Sequence, residues 1–384
     1  MKFVIVGGGT AGWLTALYIN THFPKDNVTV VASSEIGILG AGEGTTPAFI
    51  EFLEEVGISE KDLFDNCKAT IKTGIKFTNW NGDGDEYFHN FLPETTGGLY
   101  ALHFDASLLA KYLQQVAVGR GVKLIDDEVI GTQFEENDDI ESLTLKSGKQ
   151  VEVDFLFDCS GFRRMFIGGH YKSNWTEYPM PCKRAIPFFL PNDGTNLPEY
   201  TESVAMKYGW IWKIPVQGRY GCGYVFDSTK TTDEEAAQEI RDHLGHDFTS
   251  PRTFNFNAGA YERCWINNCM AVGLSAGFIE PLEATSIWVQ IVALRMFVEV
   301  YGTEIARLKL NSDMKEVNED ILAFLYYHYM TERKDTDFWQ NFTINNKKPE
   351  RLFSENQYNF NMFTKGSWSA ISDGIRYTDQ LNNK

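Results

Sequence analysis

The seventh residue opens the stretch Gly7-Gly8-Gly9-Thr10-Ala11-Gly12-Trp13, directly after the apolar run Phe3-Val4-Ile5-Val6. No other stretch constrains the fold as strongly. A short apolar run bounded by glycine predicts a buried parallel strand, and Leu14, Leu17, Tyr18 and Ile19 then recur at helical spacing. Gly7, Gly9 and Gly12 fit G-x-G-x-x-G. The first glycine allows a tight strand-to-helix turn, and the second lets backbone approach a pyrophosphate. The third lets helix and strand pack closely, with the first helical N–H groups aimed at phosphate. Alone the motif is weak; a strand before it and a helix after it give it force. The bland alternative is a glycine-rich turn with no ligand.

Placed at the start of a chain, this turn is more typical of FAD proteins than of NAD domains. Val28 to Val31 predicts the next strand of the same unit. Roughly 20 residues past the glycines a carboxylate would take the ribose hydroxyls; Ala32 stands there, with Glu35 the nearest candidate. Gly40-Ala41-Gly42-Glu43-Gly44-Thr45-Thr46-Pro47 then offers small residues that let backbone approach a flat group. Pro47 suits the first turn of a helix capped by Thr45 or Thr46. A second cofactor contact is the sharper reading of this stretch, a loop-to-helix connection the plainer one.

Lys72 to Trp80 alternates like one strand, with Lys72, Gly74 and Lys76 on a single face. Lysines so placed ordinarily mark a solvated face or a charged edge. Tyr87-Phe88-His89-Asn90-Phe91 is a dense aromatic cluster of the kind that more often fills a core, and Asp105 predicts an N-cap. Val153 to Cys159 predicts a buried strand returning the chain to the nucleotide site. Residues 183–256 read as mostly strand, and contain Trp210-Ile211-Trp212-Lys213-Ile214-Pro215. Trp210, Trp212 and Ile214 share one strand face there, and Pro215 is expected to end the strand. On packing grounds alone this is a core strand.

With that hexapeptide in place, the sequence resembles the flavin-dependent halogenases of the tryptophan-halogenase family, whose signature W-x-W-x-I-P accompanies an N-terminal G-x-G-x-x-G. Gly7 to Trp13 matches the family's GGGTAGW, and Gly40 to Pro47 resembles its flavin strap. The match covers nearly the whole chain, with His328 to Trp339 and the tail around Trp368 included. The resemblance implies an α/β fold: an FAD-binding Rossmann-like (GR2-type) module, an additional mostly antiparallel sheet, and C-terminal helices. We expect one interleaved unit over 1–384, with the flavin module at about 1–165 and 257–300. The substrate-side sheet then covers about 166–256 and the helical part about 301–384.

The resemblance also implies roles. Lys72 falls on the essential lysine, Lys76 on a supporting position, and Glu283 on the active-site glutamate. Thr285 and Ser286 fall on the halide pocket, where the residue after Thr285 is usually glycine. Trp210, Trp212 and Ile214 would wall a tunnel, while His89, Phe91 and Trp368 would flank a small aromatic substrate. Gly7, Gly9, Thr10, Ala11, Gly12, Trp13, Glu35, Gly40, Ala41, Gly42, Gly44, Thr45, Gly273 and Ile287 would contact the cofactor. The implied chemistry uses reduced FAD from a separate flavin reductase, oxygen and a halide ion. Hypohalous acid forms at a flavin C4a-hydroperoxide, Lys72 presents the halogen, and Glu283 takes the arenium proton or polarises the donor. Only eleven residues separate Phe91 from His103, where longer members carry a substrate-covering insertion. In compactness the chain resembles marine and viral members of the family.

Composition narrows the alternatives. A net charge of −17, from 35 basic and 52 acidic residues, disfavours nucleic acid and anionic membrane as partners. No apolar run approaches the roughly 18 residues of a membrane helix, and no signal-peptide pattern precedes the first strand, so a cytoplasmic protein is expected. Cys67, Cys159, Cys182, Cys222, Cys264 and Cys269 show no metal-ligand spacing, and no metal site is expected. Two other functions remain open at this point. A flavin monooxygenase would form product without halide, and a non-catalytic flavin-binding redox protein would leave Lys72 and Glu283 without a role.

Overall fold

The computed structural model describes residues 1–37, 43–91, 99–250, 252–345 and 362–376. Its first strand, Lys2–Val6, pairs in parallel with Asn27–Ala32 on one side and Phe155–Asp158 on the other. Lys123–Asp126 and Cys269–Ala271 extend the sheet in parallel, and Trp265–Ile266 joins its edge antiparallel. A parallel sheet is covered on both faces, so its strands are apolar without alternation. Phe3 and Ile5 accordingly enter one core with Leu14, Leu17, Phe157 and Phe297. Val4 and Val6 enter another with Val31, Leu143 and Leu156.

The helix Thr10–His22 leaves this sheet through the glycine turn. Gly7 has φ +127°, and a Cβ on it would stand 2.2 Å from the Cys159 carbonyl oxygen. A Cβ on Gly12 would stand 1.9 Å from the Gly7 carbonyl oxygen. Both glycines are therefore required by the packing of strand on helix.

A second, seven-stranded sheet runs in the order Phe254–Asn255, Arg184–Pro191, Arg219–Phe226, Gly209–Val216, Thr201–Ala205, Gly74–Thr78, Glu86–Asn90. Its neighbours are antiparallel except Thr201–Ala205 beside Gly74–Thr78. Trp210 and Val225 face the main core, whereas Ile211, Cys222 and Tyr224 face the helix Asp233–Leu244 through Ala236 and Ile240. That helix interrupts the strand-rich stretch. Thr232 and Glu235 close a capping box at its start, and Gly245 ends it in a left-handed conformation. Pro215 lies inside its strand, which continues to Val216.

Two local expectations need correction. Lys72 to Trp80 is not one strand: Thr70–Lys72 joins a three-stranded sheet with Ala101–Phe104 and Glu43–Gly44, while Gly74–Thr78 joins the seven-stranded one. At the crossing, Thr73 gives its N–H and its hydroxyl to the Glu199 carbonyl (2.6 and 2.8 Å). Lys72 and Lys76 therefore share no face. The helix Ala48–Glu55 also lacks the expected threonine cap, because the Thr45 hydroxyl is committed to the Leu102 carbonyl at 2.8 Å.

Two long helices, Thr285–Val300 and Ala306–His328, pack beneath both sheets, and the short helix Lys365–Gly374 lies against the second of them. The second begins at Ala306 and is closed by Tyr329. Among the described residues no helix is long and apolar enough to cross a membrane.

Candidate active site

Lys72 ends its strand with its ammonium inside the protein, and its side chain has no solvent exposure. The Nζ donates to the Thr45 carbonyl at 2.9 Å and stands 5.0 Å from the centre of the Phe91 ring. Burial pulls its pKa down from 10.5 to about 8, and the Glu283 carboxylate limits the fall. His103 lines the same space, held by Thr70 (3.2 Å) and Thr201 (2.9 Å). Burial, with Lys72 beside it, keeps that imidazole neutral, well below its ordinary value. The Thr70 hydroxyl donates to the Pro215 carbonyl, so His103 Nδ1 carries the hydrogen and Nε2 accepts from Thr201. Lys76 is different in kind: it is partly exposed and paired with Glu86 at 2.6 Å.

Glu283 reaches the same region from the loop before the helix Thr285–Val300. The intervening Ala284 sits in the left-handed region at φ +54°, a strained position for a residue with a Cβ. Buried to 2% exposure, the carboxylate is clamped by two histidines. His89 Nδ1 lies 3.1 and 3.0 Å from its two oxygens, and His328 Nε2 lies 2.8 Å from Oε1. Burial alone would raise the carboxyl pKa; the pull of His89 and the hydrogen bonds from His328 and His89 outweigh it and hold the group well below the usual carboxylate range. An ionised Glu283 only accepts hydrogen bonds, so each facing nitrogen donates. The Nδ1 of His328 faces another acceptor, the Phe324 carbonyl at 2.8 Å, so both of its ring nitrogens point at oxygens.

Around this pair the walls are aromatic. His89 packs against Phe91 and Phe324, and Phe324 stacks on Phe363 and meets Trp368 edge-on at 5.0 Å. Trp368 is thus one ring removed from His89. In the strand Gly209–Val216, Trp210 and Trp212 lie edge-to-face at 6.3 Å, and Trp210 Nε1 donates to the Tyr329 hydroxyl at 3.0 Å. Tyr329 in turn donates to Glu280 at 2.9 Å, a carboxyl that burial pushes up to about 8 and the tyrosine partly restrains. A narrow cavity of about 40 Å³ brings together Gly273, Thr285 and Ser286 at the start of the helix Thr285–Val300.

A cation and a carboxylate, both buried and contributed by distant segments, mark a candidate catalytic centre. The family model for tryptophan halogenase matches residues 2–99 and 92–383. Tryptophan 7-halogenase RebH of Lentzea aerocolonigenes is 30% identical over 416 residues, covering 88% of this chain and 78% of that protein. The crystal structure of tryptophan 6-halogenase SttH of Streptomyces toxytricini matches with a TM-score of 0.91 and 29% identity, over 97% of this chain and 90% of that one. BrvH, a flavin-dependent halogenase from Brevundimonas sp. BAL3, matches with a TM-score of 0.90 and 29% identity, over 98% and 89% of the two chains. The chain belongs to the tryptophan halogenase family.

Membership makes the protein a flavin-dependent halogenase, a class acting on aromatic substrates, and the glycine turn fits the flavin. The helix Thr10–His22 begins at Gly9 with no side-chain cap, and a Cβ on Gly9 would meet nothing within 4 Å. Uncapped helical N–H groups beside open space suit a pyrophosphate. Gly273, at φ +70°, comes against Ala11, and Gln290 donates to the Ala11 carbonyl at 2.8 Å, so the second half of the module meets this turn. Not every expected contact is equally placed. Trp13 and Ile287 are buried in the core, and Glu35 is exposed with Lys146 at 3.5 Å. Gly40, Ala41 and Gly42 lie outside the described residues.

Sequence reasoning placed His89 beside the substrate but overlooked His328 and His103. His328 sits four residues after Phe324 on a helix, and nothing local distinguishes it from a core histidine. His103 and Glu280 were passed over for the same reason, since their partners come from remote segments. The signal available was the pairing of a buried-strand histidine with the Glu283 segment, which only the fold reveals.

Proposed function

We propose that this halogenase modifies a free, electron-rich aromatic substrate, with Lys72 delivering the halogen and Glu283 as its carboxylate partner. The observation that carries this reading is a fully buried lysine, lowered to about 8, set beside an ionised carboxylate and over an aromatic ring. When bound, reduced FAD with oxygen supplies the oxidising power that turns halide into hypohalous acid. A separate flavin reductase would furnish the reduced cofactor.

Each of the chain's own groups then has a task. Gly7, Gly9 and Gly12 hold the phosphates on the turn. Thr285 and Ser286 hold the halide at a helix start that favours anions. The hydroxyl of Ser286 adds a donor and a Cβ where the family usually has glycine. Trp210, Trp212 and Ile214 form a wall that hypohalous acid passes along but an arene does not. At neutral pH roughly one Lys72 in ten is unprotonated. That neutral amine can be halogenated on nitrogen, whereas the ammonium can hydrogen-bond hypohalous acid; the carbonyl of Thr45 and the charge of Glu283 fix the Nζ either way. Phe91 offers the arene a face beside that atom.

With eleven residues between Phe91 and His103, few walls exclude analogues. Bromide and iodide are easier to oxidise and less strongly hydrated than chloride. We therefore expect several phenols and indoles to react, with bromide or iodide used at least as well as chloride. The test supplies reductase-generated reduced FAD, oxygen and equimolar halides to an aromatic panel, with products read by mass spectrometry. Exclusive chlorination of one substrate overturns the scope. Oxygenated product without halide would reveal a monooxygenase, and tight flavin binding without halide-dependent chemistry a redox protein.

A further inference from the structure

Glu283 is the obvious proton acceptor of the centre, yet its surroundings make it a poor base. Two imidazoles face its oxygens, His89 Nδ1 at 3.1 and 3.0 Å and His328 Nε2 at 2.8 Å, so both oxygens are already engaged as acceptors. A carboxylate so stabilised holds a proton weakly. His89 has the complementary property. Its Nδ1 hydrogen is committed to Glu283, so in the neutral ring Nε2 is a bare lone pair. That nitrogen is buried and has no hydrogen-bond partner among the described residues. Buried polar atoms are nearly always paired, and an unpaired one calls for an explanation. The ring stands between Phe91, which carries the Lys72 ammonium on its face, and Phe324.

We propose that His89 Nε2 is the base that removes the ring proton after halogen transfer, and that Glu283 is its orienting partner. This rests on the halogenase chemistry proposed above. Once Lys72 has passed the halogen to the arene carbon, that carbon bears both halogen and hydrogen, and the ring is cationic. Its C–H bond breaks: the proton goes to Nε2, and the bonding electron pair returns to the ring and restores aromaticity. The resulting imidazolium keeps its Nδ1–H on the Glu283 carboxylate, which stabilises the new charge without itself taking the proton. A carboxylate holding an imidazole in the useful tautomer is a recurring arrangement.

The experiment compares substrate carrying hydrogen or deuterium at the halogenated carbon, in wild type and in His89→Ala. In wild type, deprotonation is fast and the isotope effect is expected near unity. In His89→Ala, turnover is expected to fall roughly 10²-fold, the loss typical of a positioned base. The isotope effect should rise clearly above unity. Added imidazoles should restore the rate, more so the more basic the imidazole. An isotope effect that stays at unity, or no rescue by imidazole, overturns the proposal. Should His89→Ala fail to fold, His89→Asn carries the same isotope test, since its amide still donates to Glu283 but offers no basic nitrogen. Absence of halogenated product in wild type would instead sink the reading of function.

Discussion

Around the glycine turn, the contacts that matter are short in sequence and made by backbone. Gly7 and Gly12 are required because a Cβ on either would strike main chain within 3 Å, and Gly9 is required by nothing in the protein. Around Lys72, the contacts are long in sequence and made by charge. Lys72, His89, Glu283 and His328 come from three strands-or-loops and a helix, and each is almost wholly buried. The first region is stabilised by its own packing, with space left for a ligand. The second is costly to fold, since burying an ammonium and a carboxylate is tolerated only through their partners. The difference separates residues that packing requires from residues whose burial packing does not explain, and mutation should expose it.

The largest effect is expected at Lys72. Lys72→Met fills the same volume, and removing the buried charge should raise stability by on the order of 1 kcal/mol. Halogenation should fall by at least roughly 10³-fold, while reduced flavin and oxygen are still consumed. Product yield and a thermal melt on the same sample check both halves. If Lys76→Ala proves inactive and Lys72→Met active, the division between the two lysines fails, since Lys76 is a partly exposed ion pair with Glu86 and Glu202.

Next comes Glu283→Gln, expected to lower turnover about 10²-fold with flavin reoxidation nearly unchanged. Glutamine keeps the shape but removes the negative charge that both histidines and Lys72 face. Wild-type turnover in this variant would make Glu283 a structural clamp that holds its loop across the strained Ala284.

These two regions were also unequally legible in the sequence. The glycine turn, its strand and its helix could be read directly because spacing in sequence is spacing in space there. The alternation of Trp210, Ile211 and Trp212 was legible for the same reason, and the structure sends Trp210 to one core and Ile211 to the other. Lys72 had a plain reading as a solvated strand lysine, and only the family resemblance favoured a catalytic one. Period-two counting even put Lys76 on its face, because nothing in Lys72-Thr73-Gly74 announces that the chain changes sheets at Thr73. The histidine clamp was invisible: His89 and Glu283 are 194 residues apart, and their pairing is a product of the whole fold.

A smaller effect tests the cradle. Gly9→Ala should leave the melting temperature of the apoprotein unchanged, because its Cβ meets nothing. Flavin affinity should still drop roughly tenfold, about 1.4 kcal/mol, since the methyl group intrudes where the pyrophosphate approaches. Gly12→Ala should do the reverse in emphasis, destabilising the fold through the 1.9 Å approach to Gly7. Equal melting losses in the two variants would erase the distinction between packing glycine and ligand glycine.

The smallest effect is the pH profile, and it sharpens the role of Lys72. Its value of about 8 places the change of charge within reach of ordinary assays. If the neutral amine is halogenated, turnover should rise with pH about tenfold between about pH 7 and pH 9, as the unprotonated fraction grows. If the ammonium holds hypohalous acid by a hydrogen bond, turnover should fall over the same interval. An indole substrate, which does not ionise there, keeps the profile free of the arene's own titration. The fold gives an independent readout of the same proton. Between about 8 and 10.5 the unfolded chain holds the Lys72 proton that the folded chain has released, so this residue makes stability rise with pH across that window. Lys72→Met should flatten that slope. A flat rate profile together with an unchanged stability slope would mean that Lys72 does not titrate there, and that its chemistry rests on a single protonation state.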